Sequence, residues 1–181
     1  MSEPCVYQLA DAFNEEFSSI QVELSPGANE PFYRAPINNK NQTKATIFSN
    51  QDFFSSALHE IAHWCVAGEK RRLLDDYGYW YAPDGRNDEQ QAEFFAVEVK
   101  PQALEWAFHL AAKKPFQFSL DNLNSTVCEQ QIVQFKQNVH AQLSWYFQNQ
   151  FPTRALQMIQ LLCQKYNSNQ PIVLPKQIPN G

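Results

Sequence analysis

Residues 59–68 read HEIAHWCVAG, with two histidines four positions apart and a glutamate directly after the first. In a helix, positions i and i+4 stack on one face, so His59 and His63 can reach one ion from adjacent turns. Glu60 lies beside them, close enough to touch a metal-bound water but poorly placed to replace either imidazole. Phe54, Leu58, Ile61 and Cys65 form an apolar stripe that would turn another face of the same helix inward. The bland alternative is a chance HExxH whose histidines only hydrogen-bond. The helical context around the motif favours a metal site.

Two imidazoles need a further ligand. No histidine follows in the register of the longer zinc-ligating pattern, so a carboxylate is expected. The downstream acids are Asp75, Asp76, Asp84, Asp88, Glu89, Glu93, Glu98 and Glu105. On a helix, Glu98 shares a face with Gln91, Phe94 and Phe95, whereas Glu93 neighbours Glu89, Gln90, Val97 and Lys100. A carboxylate on a phenylalanine-bearing face is costly to bury unless a positive charge compensates it, and a metal ion would. Glu98 is therefore the expected third ligand, with a buried salt bridge as the alternative.

That ligand set serves two chemistries. With Zn²⁺ it lowers the pKa of bound water, and with Glu60 as general base it would hydrolyse a peptide bond. With Fe²⁺ it is a facial triad that binds and activates O₂. Spacing alone does not choose between them. His109 and His140 sit on amphipathic stretches, where a core or boundary histidine satisfied by hydrogen bonds is the usual outcome. Cys65 faces away from the histidine pair and reads as a small core residue. Tyr77, Tyr79, Trp80 and Tyr81 could wall a substrate's alkyl chain or simply pack.

The elements that must position these residues can be read from periodicity. Tyr7 to Phe17 has helical spacing, and Ile20, Val22 and Leu24 alternate as in a strand that Ser25-Pro26-Gly27 should break. Ala28 to Lys44 reads as a loop around a short extended Phe32-Tyr33-Arg34, followed by a β-rich run from Thr43 to Phe48. The motif helix would be capped by Ser49 or Asn50, run to about Ala67 and stop at Gly68. Tyr77 to Arg86 reads as a loop. Asp88 with Gln91 makes a capping box for a helix through Lys100, where Pro101 either kinks it or opens a new helix ending near Lys113. Two more helices are expected, from Thr126 to Asn149 and from Pro152 to Tyr166. The fold class is α+β, mostly helical, with a small N-terminal sheet preceding the HExxH helix. One domain over 1–181 is expected, with 167–181 as an extended tail.

The composition is 44% hydrophobic with 14 Phe, 7 Tyr and 4 Trp, ample for a core, and the net charge of −5 argues against binding nucleic acid through phosphates. An acidic balance suits a cationic ligand such as a lysine-like side chain, or simply solubility. The scattered Cys5, Cys65, Cys128 and Cys163 read as free thiols. With no signal-like N-terminus and no long apolar run, a soluble cytoplasmic protein without a membrane partner is expected.

Taken together in this order, HEIAHWCVAG, DDYGYWYAPDGR and VEVKPQAL resemble the elongation factor P hydroxylase family of bacteria, strongly over Ser49 to Lys114 and more weakly in the flanks. The resemblance implies a zincin-like metal fold put to oxidative use. It also implies elongation factor P as the protein partner, hydroxylated on a lysine side chain after another enzyme has attached a β-lysyl group. Carried over residue by residue, the metal ligands fall on His59, His63 and Glu98, and the motif glutamate, expected to be catalytic, on Glu60. The expected reaction is that of a metal-dependent monooxygenase with Fe²⁺ as the metal, Zn²⁺ or another divalent ion as substitute, and O₂ as co-substrate. Tyr81, Asp84 and Arg86 are expected to line the substrate entrance. The rival reading is a zinc metallopeptidase using Glu60 as general base.

Overall fold

The computed structural model describes residues 5–36, 43–51, 53–78, 87–120 and 128–179. Among these, α1 (Val6–Glu16) precedes strands β1 (Val22–Ala28), β2 (Phe32–Arg34) and β3 (Ala45–Asn50). Helices α2 (Phe54–Val66), α3 (Asp88–Ala111), α4 (Glu129–Gln148) and α5 (Thr153–Tyr166) follow. The architecture is a mostly helical α+β fold. Its sheet has the order β1-β3-β2, with β1 parallel and β2 antiparallel to the central β3.

The strand β1 does not stop at Ser25-Pro26-Gly27 as expected. It continues to Ala28 through a register shift between Pro26 and Ala28, with Gly27 at φ +96°. An edge strand tolerates a proline that cannot donate to the ladder, and the bulge absorbs the extra residue. The central β3 is buried along most of its length and delivers the chain directly to α2. Ser49 and Asn50 both lie inside β3, so neither caps α2; the helix starts after Phe53 with no side-chain cap.

The end of α2 also differs from expectation. Gly68 is not a left-handed stop: the chain leaves the helix through Ala67 in an extended conformation (φ −59°, ψ 125°). The carbonyls left without helical partners are taken up by arginine. Arg154 Nη2 donates to the oxygens of Trp64 (3.0 Å), Cys65 (3.1 Å) and Ala67 (2.7 Å), and Arg72 Nη1 donates to Ala67 O at 2.6 Å. A cation at a helix C-terminus also meets the negative end of its dipole. The Arg154 guanidinium further lies 4.9 Å from the centroid of the Trp64 ring, whose edges meet Phe13 and Phe17.

The capping box of α3 lies one residue earlier than expected. Asn87 accepts from the Gln90 backbone at 2.9 Å, and the Gln90 side chain accepts from Asn87 N at 3.0 Å. The helix then runs 24 residues with Pro101 inside it. A proline costs the helix one hydrogen bond and a steric clash, about 3 kcal/mol. The residues from 101 to 109 are buried on all sides, packed between α2, α4 and α5, and that burial outweighs the cost. After α5 the tail has no regular structure through residue 179; Ile172 and Leu174 pack against the core and Pro175 O accepts from His140 Nε2 at 3.0 Å. His140 is thus the satisfied boundary histidine expected. No helix among the described residues is long and apolar enough to cross a membrane.

Candidate metal centre

Helix α2 sorts its residues by face. Ala57, Leu58, Ile61, Ala62, Trp64 and Cys65 are buried, while His59, Glu60 and His63 are half-buried on the side turned to α3. Helix α3 brings Glu98 across to them, 2% exposed, whereas Glu93 points to solvent. His63 Nε2 lies 3.1 Å from Glu98 Oε1, His59 Nε2 lies 3.7 Å from Glu98 Oε2, and the two Nε2 atoms are 3.1 Å apart. Around one ion with bonds of about 2.0–2.2 Å, neighbouring ligand atoms sit roughly 3–3.5 Å from each other. The donor set and its spacing therefore fit a divalent metal held by two imidazoles and a carboxylate. Among the described residues, His59, His63 and Glu98 form the one group of three such donors brought this close.

The candidate ligands are held by partners the sequence pattern did not single out. Glu105 Oε2 lies 2.8 Å from His59 Nδ1; with a proton on Nδ1 shared with that carboxylate, an ion would meet the Nε2 lone pair. Gln102 Nε2 donates to Glu98 Oε2 at 3.2 Å and to Ser119 O at 2.7 Å, while Gln102 Oε1 accepts from Ser119 N at 3.2 Å. The Glu98 carboxylate is thereby tied to the segment after α3. Glu98, Gln102, Glu105 and His109 recur at intervals of four, three and four, all buried. A polar stripe at helical spacing inside an otherwise apolar helix was the signal for Glu105 and Gln102.

The charges compensate one another. Burial alone would raise the Glu98 carboxyl, but His63 and His59 beside it hold it down to about 2. Burial alone would lower the His59 imidazole, but Glu105 and then Glu98 push it well above its usual range. Burial raises the Glu60 carboxyl, an effect His59 and His63 only partly offset.

Tyr77 flanks His63. Its ring stacks on Tyr33 at 4.2 Å and lies nearly parallel to the His63 ring at 6.5 Å. Both Asp76 (φ 45°) and Tyr77 (φ 57°) are left-handed, a costly conformation for residues with side chains. Several bonds hold it. Asp76 Oδ1 accepts from Tyr33 N and Asp75 Oδ1 from Ala35 N, each at 2.8 Å, and Arg71 Nη1 donates to Tyr77 O at 2.9 Å. Tyr77 thus belongs to the aromatic wall considered from the sequence; Tyr79, Trp80, Tyr81, Asp84 and Arg86 lie outside the described residues.

Two clefts flank the triad. One, of about 560 Å³, is lined by His59, Glu60, Glu105 and His109, and the other, of about 510 Å³, by His63, Tyr77, Lys70 and Arg71. Both are in the range of small-molecule sites.

Comparison with known proteins adds to this geometry. Residues 11–176 match the family described as Elongation factor P hydroxylase. The chain is also similar to a protein of Haemophilus influenzae named Elongation factor P lysine hydroxylase, 44% identical over 164 residues, covering 91% of this chain and 88% of the relative.

Proposed function

The chain belongs to the elongation factor P hydroxylase family, and from that premise we propose that it hydroxylates a lysine side chain of elongation factor P as a metal-dependent monooxygenase. The substrate lysine would be the one already extended by a β-lysyl group, and the protein would act as a single domain over 1–181. The observation that carries the reading is the convergence of His59, His63 and Glu98 on one point beside two clefts. A ferrous ion on two imidazoles and one carboxylate keeps open coordination positions and supplies the activation of O₂.

In this reading His59 and His63 would hold the ion through their Nε2 atoms and Glu98 through its carboxylate. Glu105 keeps the His59 proton on Nδ1, and Gln102 orients Glu98. Tyr77 presents its ring as one wall of the His63 cleft. Tyr81, Asp84 and Arg86 are the proposed lining of the substrate entrance. One oxygen atom of O₂ enters a C–H bond of the lysine side chain; the other leaves as water, with two electrons from an added reductant and two protons from solvent.

The test is the mass of elongation factor P after incubation with iron-loaded protein, O₂ and reductant. A gain of one oxygen atom on the modified lysine is expected, and an unchanged factor would overturn the proposal. The HExxH glutamate favours a second reading, a zinc metallopeptidase with Glu60 as general base. It requires zinc-loaded protein to cleave peptides and Glu60→Gln to abolish cleavage.

A further inference from the structure

Among the described residues, the two clefts beside the triad differ in the charge of their linings. The one at His63 includes Lys70, Arg71 and the carboxylate of Glu69, with Arg71 already donating to Tyr77 O. The described lining of the one at His59 has no lysine or arginine; it includes Ser55, Ser56, Glu60, Glu105, His109 and Gln117, with Phe118 as an apolar surface.

Within the second cleft the carboxylates are not equivalent. Glu98, behind it, is engaged by His63 and Gln102, and Glu105 by His59 at 2.8 Å. Glu60 stands next to His59 on the same helix, close enough to feel the imidazoles of His59 and His63, yet no hydrogen bond or ion pair holds its carboxylate among the described residues. A half-buried carboxylate held by no hydrogen bond is costly unless a cation or donor arrives to meet it. A second group there is only loosely engaged. His109 is 2% exposed, and its Nε2 pairs with Glu105 Oε1 at 3.6 Å, beyond hydrogen-bond distance. The cleft thus offers the Glu60 carboxylate near its metal-side wall, a loosely held imidazole, serine hydroxyls and an apolar face.

Resting on the hydroxylase reading, we propose that the side chain to be oxidised enters by the His59 cleft and that the Glu60 carboxylate binds its primary ammonium group. The alkyl chain then runs along Phe118, and His109 meets a polar group of the same ligand. Glu60 is in this account an anchor that fixes which carbon faces the metal centre, and it removes no proton. Approach through the His63 cleft would bring the ammonium against Lys70 and is disfavoured by like charge.

The test measures binding without turnover. Iron-loaded protein under anaerobic conditions is titrated with elongation factor P carrying the modified lysine, and with the same factor after acetylation of that side chain's amines. Wild-type protein is expected to bind the acetylated factor at least about tenfold more weakly, the scale of losing one partner of a desolvated ion pair. Glu60→Gln, which keeps shape and loses charge, is expected to bind both forms within about twofold of each other, and Glu60→Asp to regain discrimination. Discrimination by Glu60→Gln equal to that of the wild type overturns the proposal. So does a wild-type protein indifferent to acetylation. Failure of the hydroxylase reading would show separately, as a wild-type complex that forms with ammonium-dependent affinity yet leaves the factor's mass unchanged when O₂ and reductant are admitted.

Discussion

Replacing Glu105 by glutamine leaves the helix, the side-chain volume and an acceptor for His59 in place and removes only the charge. Its carboxylate is 2.8 Å from His59 Nδ1 and 5% exposed, so the charge acts at short range in a poorly screened place. Loss of such a supporting carboxylate typically weakens a metal site about 10- to 100-fold, or about 1.4–2.7 kcal/mol. Thermal denaturation reads this directly. At a free metal concentration of about 100 times the wild-type Kd, binding stabilises the wild-type protein by about 2.7 kcal/mol, against about 0.4–1.4 kcal/mol for the variant. For a chain of this size 1 kcal/mol moves Tm by about 2–4 °C, so a metal-induced rise of roughly 5–11 °C should fall to half or less. Glu93→Gln, exposed on the same helix, is the control and should behave as wild type. A metal-induced Tm rise in Glu105→Gln equal to the wild type's would refute the argument that Glu105 tunes the His59 ligand.

Other outcomes follow from the same geometry. Glu98→Ala should abolish the Tm response to metal altogether, because both histidines lose the carboxylate that faces them within 3.1–3.7 Å; a full response would exclude Glu98 as a ligand. Arg154→Ala strips the last carbonyls of α2 of their donor and the Trp64 ring of its cation, and should cost about 2–3 kcal/mol in urea denaturation. Tyr77→Phe removes a buried hydroxyl that has no hydrogen-bond partner among the described residues, so its midpoint should stay level or rise; a loss above about 1 kcal/mol would reveal a partner. Asn87→Ala should destabilise the protein by about 1 kcal/mol by opening the cap of α3.

Periodicity made most of the helices legible, and the approach of Glu98 to the two histidines was foreseeable because each lies on a single helix with its own periodic pattern. His59 and His63 follow from i, i+4 spacing, and Glu98 from a charge placed on a phenylalanine face. What joins two elements was harder to read. Glu105 stood among the acids downstream of the motif, yet its role depends on α2 crossing α3 so that Nδ1 of His59 meets it. Arg154 was invisible as a cap because it lies some 90 positions from the carbonyls it serves. Helix ends suffered similarly: Gly68 looked like a stop, but arginines at 72 and 154 satisfy the end of α2 without a left-handed glycine. Pro101 left a kink or a new helix open; α3 continues through it as one helix, and tertiary burial on all sides carries the cost.

The central claim is that this chain transfers oxygen from O₂ to a lysine side chain of elongation factor P at a metal held by His59, His63 and Glu98. The most direct measurement supplies iron-loaded protein, reductant and the lysylated factor with dioxygen enriched in the heavy isotope, in ordinary water, and reads the mass of the modified lysine. One heavy oxygen atom should appear in the product with wild-type protein and none with Glu98→Ala. Heavy oxygen entering equally with Glu98→Ala, or an unlabelled factor together with cleaved peptides, would contradict the account.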